Sequence, residues 1–183
     1  MKDTLRGSWK FFWRPIMTES RNRSVSTMRR DKRFQPHTND SYRSPARMQG
    51  GTGCRECGAV YENGRWTWSA NAEHTSQLVC PACRRILEHA PAGELWLESG
   101  AYLVAHHDEV VSLLRHESAD EEKLHALERL MNIEDMAEGI RVTTTGPHTL
   151  RRLSEALVRA HHGHLSIEYR DGEGVLRARW SRQ

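Results

Sequence analysis

The chain is poor in what most compact proteins rely on. Hydrophobic residues make up 37% of its 183 positions and aromatics 7%, a thin supply for a fold held together by burial alone. No stretch approaches the roughly 18 consecutive apolar residues that a membrane-spanning helix needs, so no membrane role is expected. There is no Gly-x-x-x-x-Gly-Lys-Ser/Thr phosphate loop, because "QGGTG" lacks the lysine and the following helix. There is no Gly-x-Ser-x-Gly nucleophile elbow either. The acidic runs "ESADEE" and "NIED" read as solvated surface rather than a matched acid–base pair. These absences point away from an enzyme. No catalytic residue and no small-molecule substrate are expected.

Cysteine is scarce too, but its four copies are arranged. Cys54 and Cys57 form one Cys-x-x-Cys pair, Cys80 and Cys83 another, with 22 residues between Cys57 and Cys80. Two pairs of this spacing suit a tetrahedral metal, each pair reaching the ion from a tight knuckle turn. Gly58 follows the first pair where the chain must turn sharply, and Pro81 stiffens the second. One structural zinc ion on four thiolates is the expected cofactor. Four protein ligands leave no position for water, so such an ion would hold the fold without activating a nucleophile. An iron–sulfur centre would use the same ligand type. A redox Cys-x-x-Cys would need only one pair, at the start of a helix in a βαβ unit. Paired thiols of this kind suit a reducing compartment, and a cytoplasmic protein is expected.

Charge is unevenly spread. Residues 1–50 hold 12 Lys+Arg and 4 Asp+Glu, a balance of +8; the remaining 133 hold 15 and 20, a balance of −5, and the sum is the overall +3. The opening "MKDTLRGSWKFFWRPIM" is broken by Lys10, Arg14 and Pro15 and lacks a secretory cleavage pattern, although an Arg- and Ser-rich start is also what a mitochondrial presequence has. Residues 1–50 show no sustained apolar period and are expected to form a disordered basic arm, with "MQGGTG" as its hinge. Within it Arg21, Arg23, Arg29, Arg30, Lys32 and Arg33 make a cationic strip of the kind that holds phosphate backbones by counterion release.

Beyond the arm, a zinc ribbon is expected over 51–98. "AVYENGRWTW" predicts a hairpin turned at Asn63-Gly64, "RRILEH" one or two helical turns before Pro91, and "ELWLES" a short strand. Trp66 and Trp68 fall on one side of their strand and read as mini-core. A helical connector over 99–126 is expected, with Ser99 capping a helix of about 100–117 and Ser118 with Glu121 opening a second short one. Residues 127–183 predict an α+β domain. "RLMNIED" and "IRVTTT" are strands around an Asp135–Gly139 turn. Pro147 opens a helix with Leu150, Leu153, Leu157 and Ala160 on one stripe, stopped at Gly163. Leu165, Ile167 and Tyr169, then Leu176, Ala178 and Trp180, alternate along two further strands after an Asp171-Gly172 turn. The order ββαββ predicts an antiparallel sheet with one helix on its apolar face.

The opposite sheet face would then carry Arg141, Arg170, Arg177 and Arg179, joined by Thr143 and Thr145, while Arg84 and Arg85 follow the second knuckle. Such a face suits RNA, or is simply the wet side of a sheet. The histidines of "HHGH" (His161, His162, His164) sit where a helix C-terminus favours them; His106 and His107 lie within a helix, and His74 lies between the knuckles.

With these residues in view, "CRECGAVYENGRW", "CPACRR", "PAG", "AHHDEV" to "LLR", "VTTTGPHTLRRLSEAL" and "GHLSIEYRDGEGVLRARW" resemble a family of small bacterial zinc-ribbon proteins without an assigned activity, some of them labelled only "ATPase". The likeness covers most of 52–182 and leaves out the arm. That family is in turn similar to the archaeal and eukaryotic adaptor that binds the large ribosomal subunit during maturation and export. The adaptor has more Cys-x-x-Cys pairs and further domains. The resemblance implies an RNA or ribosome partner, as an assembly, stress or dormancy factor. The alternative is a protein–protein adaptor that uses the ribbon without nucleic acid.

Overall fold

The computed structural model describes residues 40–42, 48–69, 76–169 and 174–183. Most of the arm with Arg29, Arg30, Lys32 and Arg33, as well as His74, Arg170 and the Asp171-Gly172 turn, lies outside the described residues. Residues 31–183 belong to one contact unit.

Local chemistry shapes the cysteine-bearing part. β2 (Val60–Glu62) and β3 (Arg65–Thr67) are joined by Asn63 at φ 50° and Gly64 at φ 83°, the left-handed pair that matches the twist of a two-residue hairpin. β1 (Thr52–Cys54) pairs antiparallel with β2 and parallel with β4 (Ser76–Leu78), giving the order β3-β2-β1-β4. α1 (Pro81–Leu87) begins inside the second cysteine pair, ahead of "RRILEH", because Pro81 takes the first helical position and Cys80 the cap.

"ELWLES" does form a strand, β5 (Gly93–Glu98), but not as the edge of the cysteine-bearing part. It is the middle of a second sheet. After it come α2 (Ala101–Ala105), α3 (His107–Leu124), β6 (Leu130–Met136), β7 (Gly139–Thr144), α4 (Pro147–His161), β8 (His164–Tyr169) and β9 (Leu176–Ser181). The sheet order is β6-β7-β5-β9-β8. β5 is antiparallel to β7 and parallel to β9, so the sheet is mixed and the purely antiparallel expectation is corrected. The strands that flank β5, one from each hairpin, run opposite to one another, so only β7 is antiparallel to it. Leu95 and Leu97 of β5 are fully buried, and each contributes about 1.5–3 kcal/mol by leaving water.

The sheet packs its inner face on both long helices. Leu95, Val142 and Ala178 stand in one cross-strand row, Leu97, Ile140 and Trp180 in the next. Leu103, Val110, Val111 and Leu114 from α2 and α3, with Leu150, Leu153 and Leu157 from α4, complete the core. Trp180 is wholly enclosed, and its indole N–H donates to His162 O at 2.7 Å. On α4 the stripe continues to His161 one turn after Leu157, while Ala160 points to solvent. The helix expected to end at 117 breaks at His106 and then runs to Leu124. Ser118 and Glu121 therefore lie within this helix, Glu121 in its last turn, and both are buried rather than solvated.

Two close approaches fix α4. Glu128, just before β6, accepts from the Thr149 N–H and hydroxyl at 2.9 Å each, which satisfies a donor of the first helical turn and sets a negative charge at the positive helix end. A Cβ at Gly93 would lie 2.5 Å from Thr144 Oγ1 and 2.9 Å from Leu150 Cβ. Gly93→Ala should therefore force α4 away from β5 and cost about 1–3 kcal/mol, read as a lower urea midpoint at unchanged slope.

Candidate metal centre

Four sulfurs meet where two tight turns face one another. In the first knuckle Cys54 N–H donates to Ala59 O at 2.7 Å and Gly58 N–H to Cys54 O at 2.9 Å, with Gly58 at φ 76°. The second knuckle is the start of α1. The Sγ atoms of Cys54, Cys57, Cys80 and Cys83 all lie within 4.8 Å of one another, and Cys57 Sγ is 3.8 Å from Cys80 Sγ. Sulfurs bonded at about 2.3 Å around a tetrahedral ion stand about 3.8 Å apart. No cysteine is in a disulfide. The cluster can hold a metal ion, and the spacing fits zinc.

The surroundings suit thiolate ligands. Cys80 N–H points at Cys54 Sγ at 3.2 Å and Cys83 N–H at Cys80 Sγ at 3.4 Å. The strongest outside contact is one that spacing gave no sign of. Arg129, 6% exposed, donates from Nη2 to Cys57 Sγ at 3.0 Å and from Nη1 to Cys83 Sγ at 3.5 Å. Its Nε binds Ala126 O at 2.8 Å, and its guanidinium lies over the Trp68 ring, 5.1 Å from the centroid. A divalent ion on four thiolates carries an excess of two negative charges, and a buried guanidinium offsets part of it. Trp66 packs inside the unit, edge-on to Tyr61 at 5.8 Å. Trp68 instead reaches outward, and its indole N–H donates to Glu122 O at 2.6 Å.

Without a bound metal, Cys80 and Cys83 resist ionisation. Burial pushes the Cys80 thiol up, and it pushes Cys83 up to about 11. At Cys54 burial acts the same way, but the amides of Cys80, Glu56 and Cys57 outweigh it and pull the thiol down to about 7. Cys54 thus ionises ahead of Cys80 and Cys83, and an entering metal must displace protons from those two.

Among the described residues, the arginines named from the sequence each lie beside a carboxylate. Arg141 Nη2 lies 2.5 Å from Glu94 Oε1, Arg177 Nε 3.2 Å from Glu94 Oε2, and Arg179 Nη1 3.3 Å from Glu98 Oε1. These carboxylates come from β5, whose insertion the sequence did not reveal. Thr143 and Thr145 are buried, and the Thr145 hydroxyl donates to Leu127 O at 2.7 Å while accepting from Arg129 N–H at 2.8 Å. They do not join an exposed face. Arg85 is buried against Asp40 at 2.5 Å and lies over the Tyr42 ring; Arg84 is exposed beside Glu88 at 3.7 Å. Of the terminal histidines, His161 is buried and meets the Tyr102 hydroxyl at 3.0 Å, while His162 and His164 are exposed. No helix among the described residues is long and apolar enough to cross a membrane. Comparisons with protein-family models, curated proteins and solved structures found no match.

Two outcomes are expected. Arg129→Ala should weaken metal binding about 10- to 100-fold, measured by chelator competition with Zn2+ as probe. Loading the apo chain with Zn2+ near neutral pH should release protons, because at least Cys80 and Cys83 are protonated there. Affinity should then fall with decreasing pH by about tenfold per unit for each displaced proton.

Proposed function

We propose that this is a non-enzymatic zinc-ribbon protein that binds RNA or the ribosome, with one structural Zn2+ held by Cys54, Cys57, Cys80 and Cys83. The observation that carries this reading is the separation of charge. The sheet-face arginines Arg141, Arg177 and Arg179 are matched by Glu94 and Glu98. Residues 1–50, by contrast, hold 12 cationic side chains to 4 anionic ones. Phosphate contact is accordingly assigned to Arg29, Arg30, Lys32 and Arg33, with Arg84 as an exposed cation beside the knuckles. The non-enzymatic part is supported by the ligand count, since four sulfurs leave the ion no open position. The resemblance to the large-subunit adaptor supports a ribosomal partner and a role in assembly, stress or dormancy.

One feature favours the second reading, a protein–protein adaptor. A cleft of about 340 Å3 lies between the end of α1 and the outer face of β6 and β7, lined by Ile86, His89, Pro91, Met131, Glu134 and Arg141. Its mix of apolar and polar walls suits a peptide segment.

Cosedimentation with ribosomes across a salt series separates the two. Replacing Arg29, Arg30, Lys32 and Arg33 by Ser in the full chain should flatten the log–log salt slope by about 0.7 for each lost contact to single-stranded RNA. Replacing Arg141, Arg177 and Arg179 by Gln should leave the slope nearly unchanged. Salt-insensitive association, equal in all three proteins, would sink the phosphate reading and favour the adaptor.

A further inference from the structure

Outside the sulfur cage, α3 and α4 bring a second set of metal-ligating side chains together. Glu121 lies in the last turn of α3. His125 follows one turn later, where the helix ends with its N–H bound to Glu121 O at 2.9 Å. His148 is the second residue of α4. One ligand atom from each of the three lies within 4.8 Å of the others.

Glu121 is 1% exposed, and its two oxygens are treated differently. Oε2 faces Arg152 Nε at 3.2 Å. Oε1 is buried and has no hydrogen-bond partner. A carboxylate oxygen left bare inside a protein is costly unless positive charge reaches it. What faces it is the pair of imidazoles. His148 Nε2 is 3.3 Å away and His125 Nε2 3.6 Å, with the rings edge-to-face at 5.9 Å. Ligand atoms bonded at about 2.0–2.2 Å to a tetrahedral ion stand about 3.3–3.6 Å apart, so both carboxylate–imidazole separations match those of ligands around an ion. Neither ring nitrogen makes a hydrogen bond to Oε1.

We propose that Glu121 Oε1, His125 Nε2 and His148 Nε2 form a second, three-ligand Zn2+ site that clips the end of α3 to the start of α4. Two imidazoles and one carboxylate suit a first-row divalent ion such as zinc, and lack the many oxygens that calcium or magnesium takes. The histidine side chains are 54% and 62% exposed, so the fourth position opens to solvent, unlike that of the cage. That position can take water or one ligand atom from a partner.

The test uses the full chain with the cage already filled by zinc. Titration with Co2+ should bind about one further equivalent, giving weak visible bands of a nitrogen- and oxygen-ligated ion without sulfur charge transfer. In the double variant His125→Ala/His148→Ala, whose side chains are exposed and outside the core, total metal should fall from about two equivalents to about one with unchanged circular dichroism. Glu121→Gln should weaken the second equivalent at least tenfold, while His162→Ala/His164→Ala should retain it. A wild-type chain that stops at one equivalent would overturn the site, as would a second equivalent that survives the first double variant or vanishes with the last.

Discussion

The Arg129 guanidinium is the interaction on which the two halves of the molecule depend. Four sulfurs packed within 4.8 Å of one another would, once metallated, leave net negative charge in a pocket largely closed to water. Arg129 meets that charge from the other half, reaching Cys57 and Cys83 from the residue just before β6. Glu122 shares this cation, 3.4 Å from Nε, and removing the guanidinium would leave the buried thiolates of the loaded cage without it, a loss of the order of 3–5 kcal/mol. The metal cage is therefore tied to the larger sheet by charge as well as by packing. The link also makes the cage's electrostatics depend on residues far from it in sequence.

The arginines on the outer sheet face show how the same physics redirects a functional reading. Their alternation along β7 and β9 sets them on one side, as the period-two pattern requires. Alternation says nothing about the strand between. β5 places Glu94 beside Thr143 and Arg177, and Trp96 beside Arg141 and Arg179, by register. The result is a face of interleaved opposite charges, which holds its own strands together and has little net attraction for a polyanion. In the proposed RNA-binding reading, attraction for phosphate falls to residues 1–50, with 12 cationic side chains to 4 anionic ones, rather than to this face.

Signals confined to a few neighbouring residues were legible. The two Cys-x-x-Cys pairs, the Asn63-Gly64 turn, the Pro147 helix start and the inward row Leu176, Ala178 and Trp180 each follow from local geometry. What stayed hidden was set by pairing across distance. Nothing in "GELWLE" states that Leu95 and Leu97 are covered on both flanks by later strands. Nothing in "ESADEE" states that Glu121 faces inward. Acidic runs are usually solvated, and this carboxylate is buried where α4 brings Arg152 and His148 against it. Arg129 had no motif at all, since an arginine beside a cage is found only once the chain has folded.

These long-range links converge on one short segment. "HALERL", from His125 to Leu130, follows α3 and precedes most of β6. Its side chains point in turn at α4, the cysteine-bearing cluster and the main core. His125 turns to α4, Ala126 and Leu127 pack into the cysteine-bearing cluster, Glu128 caps α4, Arg129 binds the sulfurs and Leu130 rejoins the core. A composition-based reading sees only a charged connector between two units. Physically it is a junction, because each successive side chain satisfies a demand created elsewhere: an open helix end, a charged cage, an apolar cluster. Its backbone is held by the Thr145 hydroxyl, which binds Leu127 O and the Arg129 N–H together. The run "VTTT" is thus buried for a structural reason. It anchors the segment that joins the cysteine-bearing cluster to α4 and the larger sheet.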